Sequence, residues 1–148
     1  MNFRKGTRYA LYAAMEMARS AEGTPVTAAQ VAERYGIPST VLAKTFQQLV
    51  RAGLATGTRG VRGGYALTRP AAIITVLDVI EVFEPPRPPG QCLLADRDGP
   101  ECSLSGVCNL SRLLDEVGET ARYTYASVTL DTLARTRASR AAPLVVVR

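Results

Sequence analysis

The chain has 148 residues, 47% of them hydrophobic, with 18 Lys and Arg against 13 Asp and Glu. That size and composition suit one packed domain, or a small domain with an oligomerisation element, and they leave no apolar run approaching the ~20 residues of a membrane span. Charge is uneven: residues 1–70 carry ten Lys and Arg against three Glu, a net +7, whereas residues 71–148 carry eight Arg against ten Asp and Glu, a net −2. A basic half of this kind is the electrostatic footprint of phosphate-backbone binding, although charge alone is equally compatible with a solvated basic face.

The first element is expected over Thr7–Ala21, where Tyr9, Ala10, Leu11, Ala13, Ala14, Met15, Met17 and Ala18 make a largely buried apolar helix that ends before Gly23 and Pro25. Its apolar run Ala10–Met15 is too short for a signal sequence and meets Glu16 at once, so a cytoplasmic protein with no membrane partner is expected. Thr27 with Gln30 three residues on is a capping-box pattern for a helix of about two turns that stops at Gly36. After the tight Gly36-Ile37-Pro38 connection, Ser39 is expected to cap a third helix reaching Ala52, with Val41, Leu42, Thr45, Phe46, Leu49 and Val50 inward and Gly53 closing it.

Helix, short turn and longer helix make a helix-turn-helix. The outward residues Thr40, Lys44, Gln47, Gln48 and Arg51 can reach base edges or phosphates, against the blander reading of an ordinary solvated face. Two strand-like segments, Leu54–Thr58 and Tyr65–Thr68, flank the tip Arg59-Gly60-Val61-Arg62-Gly63-Gly64. A hairpin in this place is a wing, and arginines on its tip suit the narrow, negative minor groove.

Thr75–Phe83 is a short amphipathic helix ended by Pro85, Pro86, Pro88 and Pro89. The following stretch to Gly106 lacks periodicity, and a loop that long is either functional or disordered. It holds Cys92 and Cys102, with Cys108 just beyond, and these are all the cysteines of a chain that contains no histidine. Three thiols outside any secretory context point to iron–sulfur, zinc or thiol redox chemistry. The spacing C-x9-C-x5-C lacks the paired ligands of a structural zinc site.

From Cys108 or Asn109 a long helix shows Leu110, Leu113, Leu114, Val117, Ala121 and Tyr125 on one stripe. Such a stripe needs a partner, most economically the same helix of a second subunit, against the blander reading of the first helix of its own chain, and both can hold at once. Cys108 lies at the helix start, where the dipole stabilises a thiolate. A last helix around Thr129–Thr136 turns Leu130 and Leu133 inward, expectedly onto the same dimer face, before a polar tail.

Three strings resemble one family: Lys5-Gly6-Thr7-Arg8-Tyr9-Ala10, the span Ile37–Leu54 ending Ala52-Gly53-Leu54, and above all Arg59-Gly60-x-x-Gly63-Gly64-Tyr65-x-Leu67. The chain resembles, over nearly its whole length, the Rrf-two family of winged-helix transcription regulators, which includes the iron–sulfur regulator IscR and the nitric-oxide sensor NsrR. The resemblance implies that Ser39, Thr40, Lys44, Gln47 and Arg51 read the major groove of a palindromic double-stranded operator. Arg59 and Gly60, with Arg62 beside them, would enter the minor groove. It also implies a 2Fe–2S or 4Fe–4S cluster on Cys92, Cys102 and Cys108. Departures concern the first cysteine gap, longer than usual in the family, and the fourth ligand. Ser111 stands where some relatives have histidine, and Arg8 where others use an acidic residue of the partner, leaving Asn109, Asp96, Asp98, Glu101, an exogenous ligand or an open site.

The expected fold is therefore mainly α with a small β-hairpin, a winged helix-turn-helix plus a long dimerisation helix. Three parts follow: residues 1–83 as DNA-binding domain with its linking helix, 84–107 as sensing loop, and 108–148 as dimerisation helix and tail. The expected function is a homodimeric DNA-binding regulator, a repressor controlled by the cluster. The alternative is a cluster-free regulator switched by thiol/disulfide chemistry or a small ligand. With no histidine, nucleophile elbow or nucleotide fingerprint an enzyme is not expected, a lone reactive cysteine being the only rival.

Overall fold

The computed structural model describes residues 3–21, 24–86 and 107–135. Cys92 and Cys102, the acidic ligand candidates Asp96, Asp98 and Glu101, and the tail beyond Arg135 lie outside the described residues. The described chain runs α1 (Lys5–Arg19), α2 (Ala28–Tyr35), α3 (Ser39–Arg51), β1 (Ala55–Thr58), β2 (Gly64–Leu67), α4 (Val76–Phe83), α5 (Asn109–Ala126) and α6 (Leu130–Ala134). It is the expected mainly helical fold with one antiparallel hairpin, Ala55 facing Leu67 and Thr58 facing Gly64.

The core is built around α1, which begins and ends two residues earlier than its sequence pattern suggested. Ala10, Ala13 and Ala14 are at most 1% exposed, and their small side chains let neighbouring helices come close. Against them pack Val31 of α2, Leu42, Phe46 and Leu49 of α3, Val79 of α4 and Leu130 of α6, in one cluster with Ile37, Leu54 and Ile74. A smaller cluster of Val76, Ile80 and Val128 collects Phe3, Leu11 and Tyr125 at its edge.

Local chemistry sets most helix ends. Thr27 and Gln30 form the full capping box, with Gln30 N–H donating to Thr27 Oγ1 at 3.1 Å and Thr27 N–H to Gln30 Oε1 at 2.8 Å. Thr75 and Asp78 repeat the device at the head of α4. Gly36 and Gly53 close α2 and α3 with φ of 64° and 74°. Ser39, expected as a cap, is instead the first helical residue; Pro38 holds the cap position and no side chain caps α3.

α6, expected on the dimer face, turns its Leu130 into the core of its own chain, against α1. The cause lies in the segments before α4 and α6, which pair through Val76 N–H to Val128 C=O and Leu130 N–H to Ile74 C=O, both 2.8 Å, drawing Leu130 to full burial in the α1 core.

Candidate nucleic-acid interface and cysteine loop

On α3 the inward stripe is Leu42, Thr45, Phe46 and Leu49, all buried. Thr45 resolves its buried hydroxyl by donating to Val41 C=O at 3.0 Å, one turn back. Val41 and Val50, assigned inward by pattern, are 38% and 37% exposed. Each sits beside the buried stripe rather than within it, a distinction that an apolar residue type does not carry. Val41 neighbours Thr40 and Lys44 on the outward side and could contact a thymine methyl.

Ser39, Thr40, Lys44, Gln47, Gln48 and Arg51 are all exposed. None of them has a side-chain hydrogen bond or ion pair among the described residues. Because the fold makes no use of these groups, they are available to a ligand.

The wing is fixed to α3 rather than loosely appended. Phe46 stacks on Tyr65 of β2 at 4.4 Å between ring centroids and 8° between planes. Tyr65 also exchanges two 2.8 Å backbone hydrogen bonds with Val26, in the connection before α2. Thr68 Oγ1 donates to Gly53 C=O at 2.6 Å, closing the hairpin's far end.

Three glycines make the tip possible. Gly60 has φ of 108°, open only to glycine without strain. A Cβ on Gly63 would lie 2.4 Å from Thr58 O, and one on Gly64 would lie 2.9 Å from Val26 O. Both obstacles are backbone, which cannot swing aside. The Arg-Gly-x-x-Gly-Gly-Tyr string is thus a requirement of the turn that presents Arg59, Val61 and Arg62, all exposed, at the hairpin tip.

Of the three cysteines only Cys108 is described. It is the N-cap residue of α5, half-buried, and makes no side-chain cap hydrogen bond. No cluster of three or more metal-binding side chains occurs among the described residues. On α5 the predicted stripe is exposed: Leu110 is 56%, Leu113 55%, Leu114 43% and Val117 51% exposed. The C-terminal end of the stripe differs: Ala121 and Tyr125 are half-buried, and Tyr125 joins the small cluster that also collects Leu11 of α1. α5 rests on α4, where Arg122 donates to Glu81, and Tyr125 meets Phe3 at 5.5 Å.

Two buried polar sites on α1 went unread in the residue pattern. Glu16, 8% exposed, binds Arg19 at 2.8 Å and Arg34 at 2.9 Å and accepts from Tyr35 at 2.7 Å. Burial alone would raise its pKa, but the Tyr35 and Arg19 hydrogen bonds and the charges of Arg34 and Arg19 outweigh it and hold the carboxyl below its ordinary range. Burial, then the bond to Glu16 and its charge, push Tyr35 up. The Glu16–Arg19 spacing inside an apolar helix was the one available signal. The second site joins Thr7 to Glu84.

A family model described as Rrf2, iron-dependent transcriptional regulator, matches residues 3–136. The chain belongs to the Rrf2 family. It is 34% identical over 128 residues to Protein rrf2 of Nitratidesulfovibrio vulgaris, covering 86% of this chain and 81% of that protein. Its fold is similar to that of T. potens IscR, with a TM-score of 0.69 and 26% identity over 90% of this chain and 86% of the other. It is also similar to CymR, the global cysteine regulator of B. subtilis, with a TM-score of 0.66 and 25% identity over 90% and 96%. Rrf2 proteins are transcriptional regulators that bind DNA and are typically dimeric, so the chain is a regulator of this type. No helix among the described residues is long and apolar enough to cross a membrane.

Proposed function

We propose that the chain binds a palindromic duplex operator as a homodimer and that the state of its cysteine loop sets the affinity. In this reading Ser39, Thr40, Lys44, Gln47 and Arg51 address the major groove, and Arg59, Gly60 and Arg62 the minor groove. The observation that carries it is the Phe46–Tyr65 stack, which locks an otherwise unengaged polar helix face and a two-arginine hairpin tip into one rigid unit. The second subunit is assigned to the apolar stripe of α5, since four large side chains exposed along one helix face mark a contact surface.

The loop's chemistry is assigned to an iron–sulfur cluster on Cys92, Cys102 and Cys108, soft thiolate donors of the kind that iron–sulfur centres use. Cys108 fits this role: its half-buried side chain is not used as a cap, and it stands at the head of an 18-residue helix, beside the loop that holds the other two cysteines in sequence. When bound, the cluster would supply redox and nitric-oxide reactivity. Arg8 cannot complete its ligand set, and Asn109, exposed beside Cys108, is the nearest described oxygen donor in sequence. The chain's own contribution is to place one ligand at the head of α5, so that loop state bears directly on the helix carrying the dimer contact.

The likeness to a cysteine regulator supports a second reading, a cluster-free regulator switched through thiols or a small ligand. Iron and acid-labile sulfide analysis of anaerobically purified protein separates the two. Iron and sulfide bound in the wild type and lost, with the visible absorption, from Cys102→Ala are the expected result. Metal-free protein with titratable thiols selects the second reading. Failure to enrich any duplex from a random pool, in either state, would reject both.

A further inference from the structure

We infer that Thr7 and Glu84 form the joint through which the root of the cysteine loop is held in register with the DNA-reading module, making both positioning residues for the response of operator affinity to loop state. The inference rests on the function proposed above and adds the residues that transmit it.

α1 starts without the usual help. Its N-cap residue Arg4 offers no side-chain cap, and its first turn holds no acidic group but does hold Lys5 and Arg8, the wrong sign for a helix N-terminus. The missing acceptor and the missing negative charge both arrive from Glu84. Its Oε1 accepts from Arg4 N–H at 2.8 Å and from Thr7 Oγ1 at 2.5 Å. Thr7 is 0% exposed, so its hydroxyl has no access to water as a substitute partner. Gly6 lies alongside, where an added Cβ would come 3.5 Å from Phe83 Cδ1, so the start of α1 and the end of α4 run close together. The Lys5-Gly6-Thr7 string, legible beforehand only as a resemblance, thereby acquires a physical role.

Glu84 is the C-cap of α4, and Pro85 and Pro86 follow it directly. Two prolines restrict φ, so the chain leaving Glu84 is stiff and a displacement of the loop root bears on the carboxylate. The loop's other end enters α5 at Cys108, and α5 is tied back to α4 further along, through Arg122 and Glu81. The loop thus leaves from the end of α4 and re-enters a helix that packs on α4. α4 meets α1 at the Thr7–Glu84 bond, and α1 packs directly on the reading helix α3. Spatial continuity alone does not demonstrate coupling; a change in how two states are weighted does.

The test compares operator affinity of the full-length protein in two states, reconstituted anaerobically with ferrous iron and sulfide, and chelator-stripped with reduced thiols. The DNA is the duplex that the wild type enriches from a random pool. Wild type is expected to differ roughly 5–150-fold between states, and Thr7→Val and Glu84→Ala to bring that ratio within about twofold of unity while binding persists. Thr7→Ser, which restores the hydroxyl, should restore the ratio. A readout that needs no cluster is amide exchange of residues 4–8, faster in Thr7→Val than in the stripped wild type. Should Thr7→Val fail to fold, as shown by lost helical circular dichroism, Glu84→Ala carries the test alone. A responsive wild type with equally responsive variants overturns the joint and leaves the proposed function standing. Loss of binding in both states with helix content intact also overturns it, since the pair would then belong to the reader itself. A wild type that does not respond defeats the sensing reading, and the joint with it.

Discussion

The DNA-reading module and α5 treat their apolar side chains in opposite ways. In the module, Leu42, Phe46 and Leu49 of α3 are 0% exposed and polar groups face outward, whereas α5 turns Leu110, Leu113 and Val117 to the outside and buries Ser111. The module resolves its hydrophobic pattern within one chain; α5 does not. Amphipathic sequence alone therefore predicts that a face will be covered, without saying by what, and only the packing tells an internal core from a contact surface.

Substitutions on the two sides should fail differently. Phe46→Ala should have the largest effect, about 3–5 kcal/mol from the emptied core site, with the Tyr65 stack lost as well. Chemical denaturation should show it, and a loss under 1 kcal/mol would mean that the module is not the rigid half of the comparison. Gly63→Ala places a methyl against Thr58 O and should cost about 1–3 kcal/mol, weakening operator binding while the helical circular dichroism is retained. On α5, Leu113→Glu should raise the dimer dissociation constant at least about tenfold, or 1.4 kcal/mol, in sedimentation equilibrium. Its monomer should unfold as cooperatively as the wild type; a collapsed fold would show that the stripe is core after all.

Arg59→Ala should lower the slope of log affinity against log salt by roughly one, and an unaltered slope would remove the wing from the phosphate contacts. The smallest effect concerns pH. Glu16 has a folded pKa below its unfolded value, so its contribution is complete above the unfolded pKa of about 4.3 and is lost as pH falls through the lower, folded one. Stability of Glu16→Gln should therefore change less than wild type across that acid window. Parallel acid limbs in urea titrations would place the sensitivity elsewhere.

Features set by near neighbours were legible in the residues. Thr27 and Gln30 announce their capping box, Gly53 its helix end, and the glycine string its hairpin, because each depends on atoms within a few positions. The exposed face of α3 followed from helical period alone, although the same period misplaced Val41 and Val50 at the margin of the buried stripe. What could not be read depends on distant partners. The Thr7–Glu84 bond spans 77 residues and the Glu16–Arg34 pair 18. The destination of α6 was hidden for the same reason: Val128 pairs with Val76, and nothing local to either announces the other. The Cys92 and Cys102 ligands, the three-part division at residues 84–107 and the cluster itself remain with the proposal.

The Phe46–Tyr65 stack carries a consequence for respecification. Since the aromatic pair faces inward and the exposed side chains of α3 hold nothing together, that outer face can be exchanged wholesale with a relative's to redirect operator preference. A transplanted hairpin is another matter: it must bring a flat ring at the Tyr65 position, or the borrowed tip will arrive without its hinge pin.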